Sequence, residues 1–391
     1  MATDVRLRAP TSARSVVRLE TFTLRHPIRP RRGPSIAWAS GHEYVLVKLT
    51  DRDGVVGWGE SYLVPGIVET LRDLAPIVLG RPAGDILRTQ AEVRWAGGGP
   101  YARSALAIAL DDLRARQLGV SVATLYGGSV RDRVKLYAAS GGYVEGEDPE
   151  LTWPREANAV VEAGFGVMKL RIGRYPIARE KALLERLRRD LSSSLDLAAD
   201  GNAGYTFGGA VRMGKILGDL GFLWFEEPLN QWGGYAAYER LAEALEITLS
   251  GGEVLMSRPA AAEFLARRAV DLVQPEPVIV GGVGEAVFVG ALARIYGIAS
   301  MPHTSNSAIG IAAALQVLAV TPDPTASPAS LVPLLEFGVD ENPWRERLLV
   351  DAFAPADGWL TIPSGPGLGV DVDEAFVRAH ADSMSRREAG E

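Results

Sequence analysis

Three short runs end on a carboxylate at nearly equal intervals: Leu197-Ala198-Ala199-Asp200, Leu223-Trp224-Phe225-Glu226 and Leu249-Ser250-Gly251-Gly252-Glu253. The acids lie 26 and 27 residues apart, the span of one strand, one helix and two loops. Residues at the C-terminal ends of parallel barrel strands share one mouth. Three carboxylates gathered there repel one another unless a cation sits between them. Hard oxygen donors of this kind suit Mg²⁺ or Mn²⁺. Solvated acids with no common role would account for one such run, but poorly for three at matched spacing.

One βα unit upstream lies Met168-Lys169-Leu170-Arg171-Ile172-Gly173. Its two cations alternate with apolar residues, so on a strand both face one side. A core strand carries such a pair only with anionic partners. Lys169 and Arg171 are therefore expected in the same mouth as the three acids.

The strand and helix rhythm extends in both directions. Eight strands are expected at Lys135–Ser140, Val167–Ile172, Leu195–Asp200, Phe222–Glu226, Ile247–Gly251, Asp271–Pro275, Ile298–His303 and Leu334–Phe337. Helical patterns such as 179–190, 208–220 and 260–268 lie between them. This alternation favours a (β/α) barrel. A doubly wound sheet is the competitor, but no Gly-x-Gly-x-x-Gly follows the first strand. Before residue 130 the pattern differs. Strands at 16–24, 44–50 and 54–60 precede helices at 70–79 and 102–118, an α+β lobe, behind a loose lead-in over 1–14.

The 391 residues suffice for a barrel and a second lobe, and 47% are hydrophobic. The net charge of −7 offers no basic excess for nucleic acid. No apolar run reaches the ~18 residues of a membrane span. Met1 to Glu20 lacks the apolar core of a signal peptide. With no cysteines, the chain has no disulfides, in keeping with a cytoplasmic location.

Taken in order, several pieces resemble the enolase superfamily and, within it, the mandelate racemase subgroup. They are the Lys-x-Arg strand, Asp200-Gly201-Asn202, Phe225-Glu226-Glu227-Pro228, Gly252-Glu253, Gln274-Pro275-Glu276 with Gly281-Gly282, Met301-Pro302-His303, and Gly365-Pro366-Gly367-Leu368-Gly369. The resemblance implies an α/β fold, a modified TIM barrel of (β/α)7β type. Residues 1–130 would form an α+β capping domain, 131–354 the barrel, and 355–391 a tail returning to the cap. It also implies a homo-oligomer and a small-molecule carboxylate substrate.

The same resemblance assigns roles. Asp200, Glu226 and Glu253 would hold Mg²⁺, with Lys169 on the substrate carboxylate. His303, at an expected strand end, would be the acid–base group, since histidine exchanges protons near neutral pH. Glu276 stands where the family has the aspartate that orients this histidine. Arg171 stands where many relatives have a second lysine. Arginine stays protonated, so it clamps an anion rather than acting as a base. Glu336 matches a glutamate that hydrogen-bonds the substrate carboxylate. Asn202 and Ser140 would line the site. Segment 24–40, with Arg25 and His26, is expected to be a mobile loop over the mouth that sets specificity.

Proton abstraction beside a carboxylate gives an enediolate, which a divalent cation and cationic side chains stabilise. With one histidine base the expected reaction is dehydration of an acid sugar to a 2-keto acid. Two alternatives stand beside it. One is a racemase or epimerase using Lys169 and His303; the other is a non-catalytic relative that binds metal and ligand.

Overall fold

The computed structural model describes residues 14–191, 195–325 and 333–390. The lead-in expected at the N-terminus lies almost wholly outside them.

The cap begins with an antiparallel sheet of β1 (Val16–Gly33), β2 (Ala39–Asp51) and β3 (Val56–Tyr62). Helix Pro100–Leu118 presses onto β3. Gly57 and Gly59 make that approach feasible. A Cβ on Gly59 would lie 2.1 Å from the Ala105 carbonyl oxygen, and one on Gly57 2.4 Å from that of Ala109. The expected loop over 24–40 is largely strand. β1 continues to Gly33, pairing Arg25 with Glu43 and His26 with His42 before a register shift between Pro27 and Arg32. Proline is tolerated at such irregular edge positions, so the Pro and Gly content that argued against helix does not stop the strand.

Eight parallel strands make the barrel wall. β4 (Arg133–Ala139) is followed by a short β5 (Tyr143–Val144), which pairs with the end of β1. Then come β6 (Val167–Arg171), β7 (Asp196–Asp200), β8 (Phe225–Glu226), β9 (Leu249–Gly251), β10 (Leu272–Val273), β11 (Ala299–Ser300) and β12 (Leu334–Gly338). The ladder runs β11-β10-β9-β8-β7-β6-β4-β12. A helix of nine residues or more follows each wall strand from β4 to β11, the last being Ala308–Val320, whereas β12 has only Pro343–Glu346 after it. This is the (β/α)7β arrangement. The tail adds β13 (Trp359–Thr361), antiparallel to β4, and β14 (Ser383–Glu388), which pairs with β1 and joins the tail to the cap.

Inside the wall sits a cluster of Tyr137, Val167, Ala198, Trp224, Leu272, Met301 and Leu334. The Tyr137 and Trp224 rings meet edge to face at 5.2 Å. Truncating a buried tryptophan of this kind costs about 3–5 kcal/mol. Among the described residues, no helix is long and apolar enough to cross a membrane.

Candidate active site

The packed interior is also the floor of the site. Tyr137 and Trp224 are fully buried, so their polar ends need partners. The Tyr137 hydroxyl donates to Glu336 Oε2 at 3.0 Å, and Trp224 Nε1 donates to Glu226 Oε2 at 3.0 Å. Gln274 Nε2 adds a bond to the same Glu226 oxygen at 2.9 Å. The carboxylates at the strand ends are thus held from below by the barrel's own core.

The β6 wall carries both expected cations. Lys169 is completely buried. Its Nζ lies 2.5 Å from Glu226 Oε1, 2.8 Å from Glu336 Oε1 and 3.8 Å from Asp200 Oδ2. Burial lowers its pKa, but these acids outweigh burial and raise it. Arg171 pairs with Asp200 Oδ2 and lies 3.2 Å from Asn202 Oδ1. Asn202 sits at φ 43°, a left-handed conformation asparagine tolerates. Its backbone N–H donates to Asp200 Oδ1 at 2.7 Å.

Opposite stands the histidine. His303 is 4% exposed, and its Nδ1 lies 2.8 Å from Glu276 Oε2. Glu276, standing where the family pattern has an aspartate, thus lies within hydrogen-bond reach of the histidine. Its other oxygen, Oε1, accepts from the Tyr62 hydroxyl at 2.6 Å and from Asn306 Nδ2 at 2.7 Å. Sequence reasoning missed both donors. The available signals were that Tyr62 shares a strand face with Glu60 and that Asn306 closely follows His303. His303 Nε2 faces Glu253 Oε2 at 3.3 Å and Glu336 Oε2 at 3.6 Å. Burial lowers the His303 pKa, yet Glu253, Glu336 and Glu276 raise it well above the ordinary value. Burial also raises Glu336, but Lys169, His303 and Arg171 bring it down to about 2.

The donor set fits a hard divalent cation in part as expected. Glu226, Glu253 and His303 each place a ligand atom within 4.8 Å of the others. Glu253 Oε2 is buried without a hydrogen-bond partner, and burial pushes its carboxyl up to about 7 despite His303. Asp200 is not in that group; its Oδ2 is drawn to Arg171. Two oxygen donors of the expected three thus converge, with Asp200 beside them.

The cap closes one side of a cavity of about 1030 Å³. Glu60 docks it, accepting from the backbone N–H groups of Ser307 and Gly310 at 2.8 and 2.7 Å. Burial pushes the Glu60 carboxyl up to about 7 against those bonds. Ser140 and Asn202 line the cavity, as expected. Arg25 and His26 do not. Arg25 is exposed and lies 3.7 Å from both Glu43 and Asp382, and the cap residues that face the cavity include Arg32, Trp38, His42 and Tyr44. His26 pairs with His42 across the β1–β2 ladder, and His42 is the one that lines the cavity.

Residues 16–127 match the mandelate racemase/muconate lactonizing enzyme N-terminal domain, and residues 153–376 the enolase C-terminal domain-like model. The chain belongs to this family. It is 31% identical to D-galactarolactone cycloisomerase of Agrobacterium fabrum over 84% of this chain and 89% of that one. It is 28% identical to arabinonate dehydratase of Saccharolobus solfataricus over 86% and 90% of the two chains. Its fold matches L-talarate/galactarate dehydratase of Salmonella typhimurium, solved with Mg and L-lyxarohydroxamate, at TM-score 0.84. That match has 25% identity and covers 96% of this chain and 95% of the other.

Proposed function

We propose that this protein is an acid-sugar dehydratase in which His303 is the only proton carrier. The observation that carries this is the asymmetry of the mouth: an oriented histidine on one side, and on the other an arginine and a lysine already tied to carboxylates. The names of several relatives as acid-sugar dehydratases support it.

Asp200, Glu226 and Glu253 would hold Mg²⁺, which supplies charge stabilisation for the enediolate. Arg171, which lines the cavity, orients the substrate carboxylate, and Lys169 buried beneath the acids adds positive charge. His303 Nε2 takes the α-proton as the C–H bond breaks. The hydroxyl on the next carbon leaves with its bonding electrons and receives that proton from His303, forming water. The remaining enol converts to a 2-keto acid. Glu276 holds Nδ1, fixing the ring for both transfers.

A racemase would need a second base facing the opposite side of the α-carbon. Arg171 does not deprotonate, and Lys169 is fully buried between Glu226 and Glu336. The test is a screen of acid sugars with Mg²⁺, reading 2-keto acid as its semicarbazone. A product of inverted configuration with no keto acid would reject dehydration.

A further inference from the structure

We infer that the substrate carries a single carboxylate and is otherwise a neutral hydroxylated chain, an aldonate rather than an aldarate. This rests on the dehydratase reading only for the end at which the reaction occurs.

A second carboxylate in a half-buried site gains most from a cation of its own. At the near end Arg171 lines the cavity, backed by Lys169 and by the cation that the strand-end acids would hold. Among the described residues, the other arginines lining the cavity are Arg32 and Arg345, and both have partners. Arg32 NH1 lies 2.9 Å from Glu156 Oε1. The second Glu156 oxygen holds the Ser140 hydroxyl and the Gly141 N–H, each at 2.7 Å, which fixes this acid in place. Arg345 lies 3.3 Å from Asp340 Oδ1, and His42 Nε2 lies 3.1 Å from Asp340 Oδ2. Glu43 and Glu341 add further acid to the same wall. A second carboxylate would have to break one of these pairs or be desolvated beside like charge.

The test uses stereochemically matched pairs: D-gluconate with D-glucarate, and D-galactonate with galactarate. Turnover is read as 2-keto acid. Binding to His303→Asn is read by calorimetry, with and without Mg²⁺. The aldonate is expected to exceed its matched aldarate in kcat/KM by about 100-fold or more in at least one pair, with no pair reversed. Asp340→Asn frees Arg345 and His42 and should narrow that ratio about tenfold or more. An aldarate preference overturns the inference. So does an unchanged ratio in an Asp340→Asn protein that melts like the parent. So does a lack of both turnover and binding throughout. Aldonate-selective binding without turnover leaves the inference standing and removes the dehydratase reading instead.

Discussion

The two walls of the mouth are built from the same kinds of residue and do different work. On the β6 wall, the cations Lys169 and Arg171 are neutralised by acids that touch them directly. On the wall made by the ends of β10 and β11, His303 has one nitrogen bound to Glu276 and the other turned toward Glu253, Glu336 and the cavity. Charge locked on both sides positions a substrate. Charge locked on one side and open on the other can move a proton. This contrast supports the proposed reading of the site as a clamp facing a carrier, rather than two opposed bases.

The strongest way to break that comparison is to remove the carrier. His303→Asn should lower kcat by about 10⁴-fold while leaving the melting temperature and acid-sugar binding close to the parent's. Full turnover would shift the base to the other wall. Lys169→Met is a poorer probe, because removing one partner of a buried ion pair costs about 3–5 kcal/mol in stability and confuses folding with chemistry. Next in size is Glu276→Gln. The amide keeps the shape but loses the charge that holds the imidazolium, so kcat should fall by about 10²–10³-fold. A change in KM alone would mean that Glu276 serves binding.

On the opposite wall, Arg171→Lys should leave the reaction type unchanged and raise KM by about 30-fold, the loss of a charge-assisted fork of about 2 kcal/mol. Incubation in D₂O would sharpen this. α-Deuterium in recovered substrate with inverted configuration would mean that the new lysine supplies a second base.

How far these walls could be read from sequence depends on what fixed each residue. The Asp200, Glu226 and Glu253 positions were legible because each ends a short strand in a repeating unit. Lys169 and Arg171 followed from period-2 alternation. Pairing of β10 with β11 brings Glu276 and His303 together from neighbouring strand ends, and the family resemblance, rather than spacing, was the signal for them. Three things were not legible. The course of segment 24–40 depends on partners: β2 pairs with β1 as far as Pro27 and again at Arg32, and β5 pairs with its last two residues. This holds the segment as strand and aims Arg25 away from the mouth. The turn of Asp200 toward Arg171 is a choice between two nearby cations that spacing does not contain. The second oxygen of Glu276 is bound by a residue more than 200 positions earlier, a contact that only docking of the cap creates.

That last contact gives the smallest and most discriminating expectation. Tyr62 belongs to the cap, Glu276 to the barrel, and their 2.6 Å bond ties the carrier's orientation to cap docking. The extra methylene of glutamate lets Oε2 stay on His303 while Oε1 reaches Tyr62 and Asn306. A hydrogen bond to a charged group is worth about 1.5–3 kcal/mol, and Asn306 remains after Tyr62→Phe. The expected loss is therefore about tenfold in kcat, with KM little changed. A purely structural role would instead lower the melting temperature and leave kcat per folded molecule intact. The decisive comparison is made in a Glu276→Asp background. There the shorter chain cannot span both His303 and Tyr62, so adding Tyr62→Phe should cost nothing further. An equal tenfold loss in both backgrounds would show that Tyr62 acts on the substrate directly, and the carrier's wall would then end at Glu276.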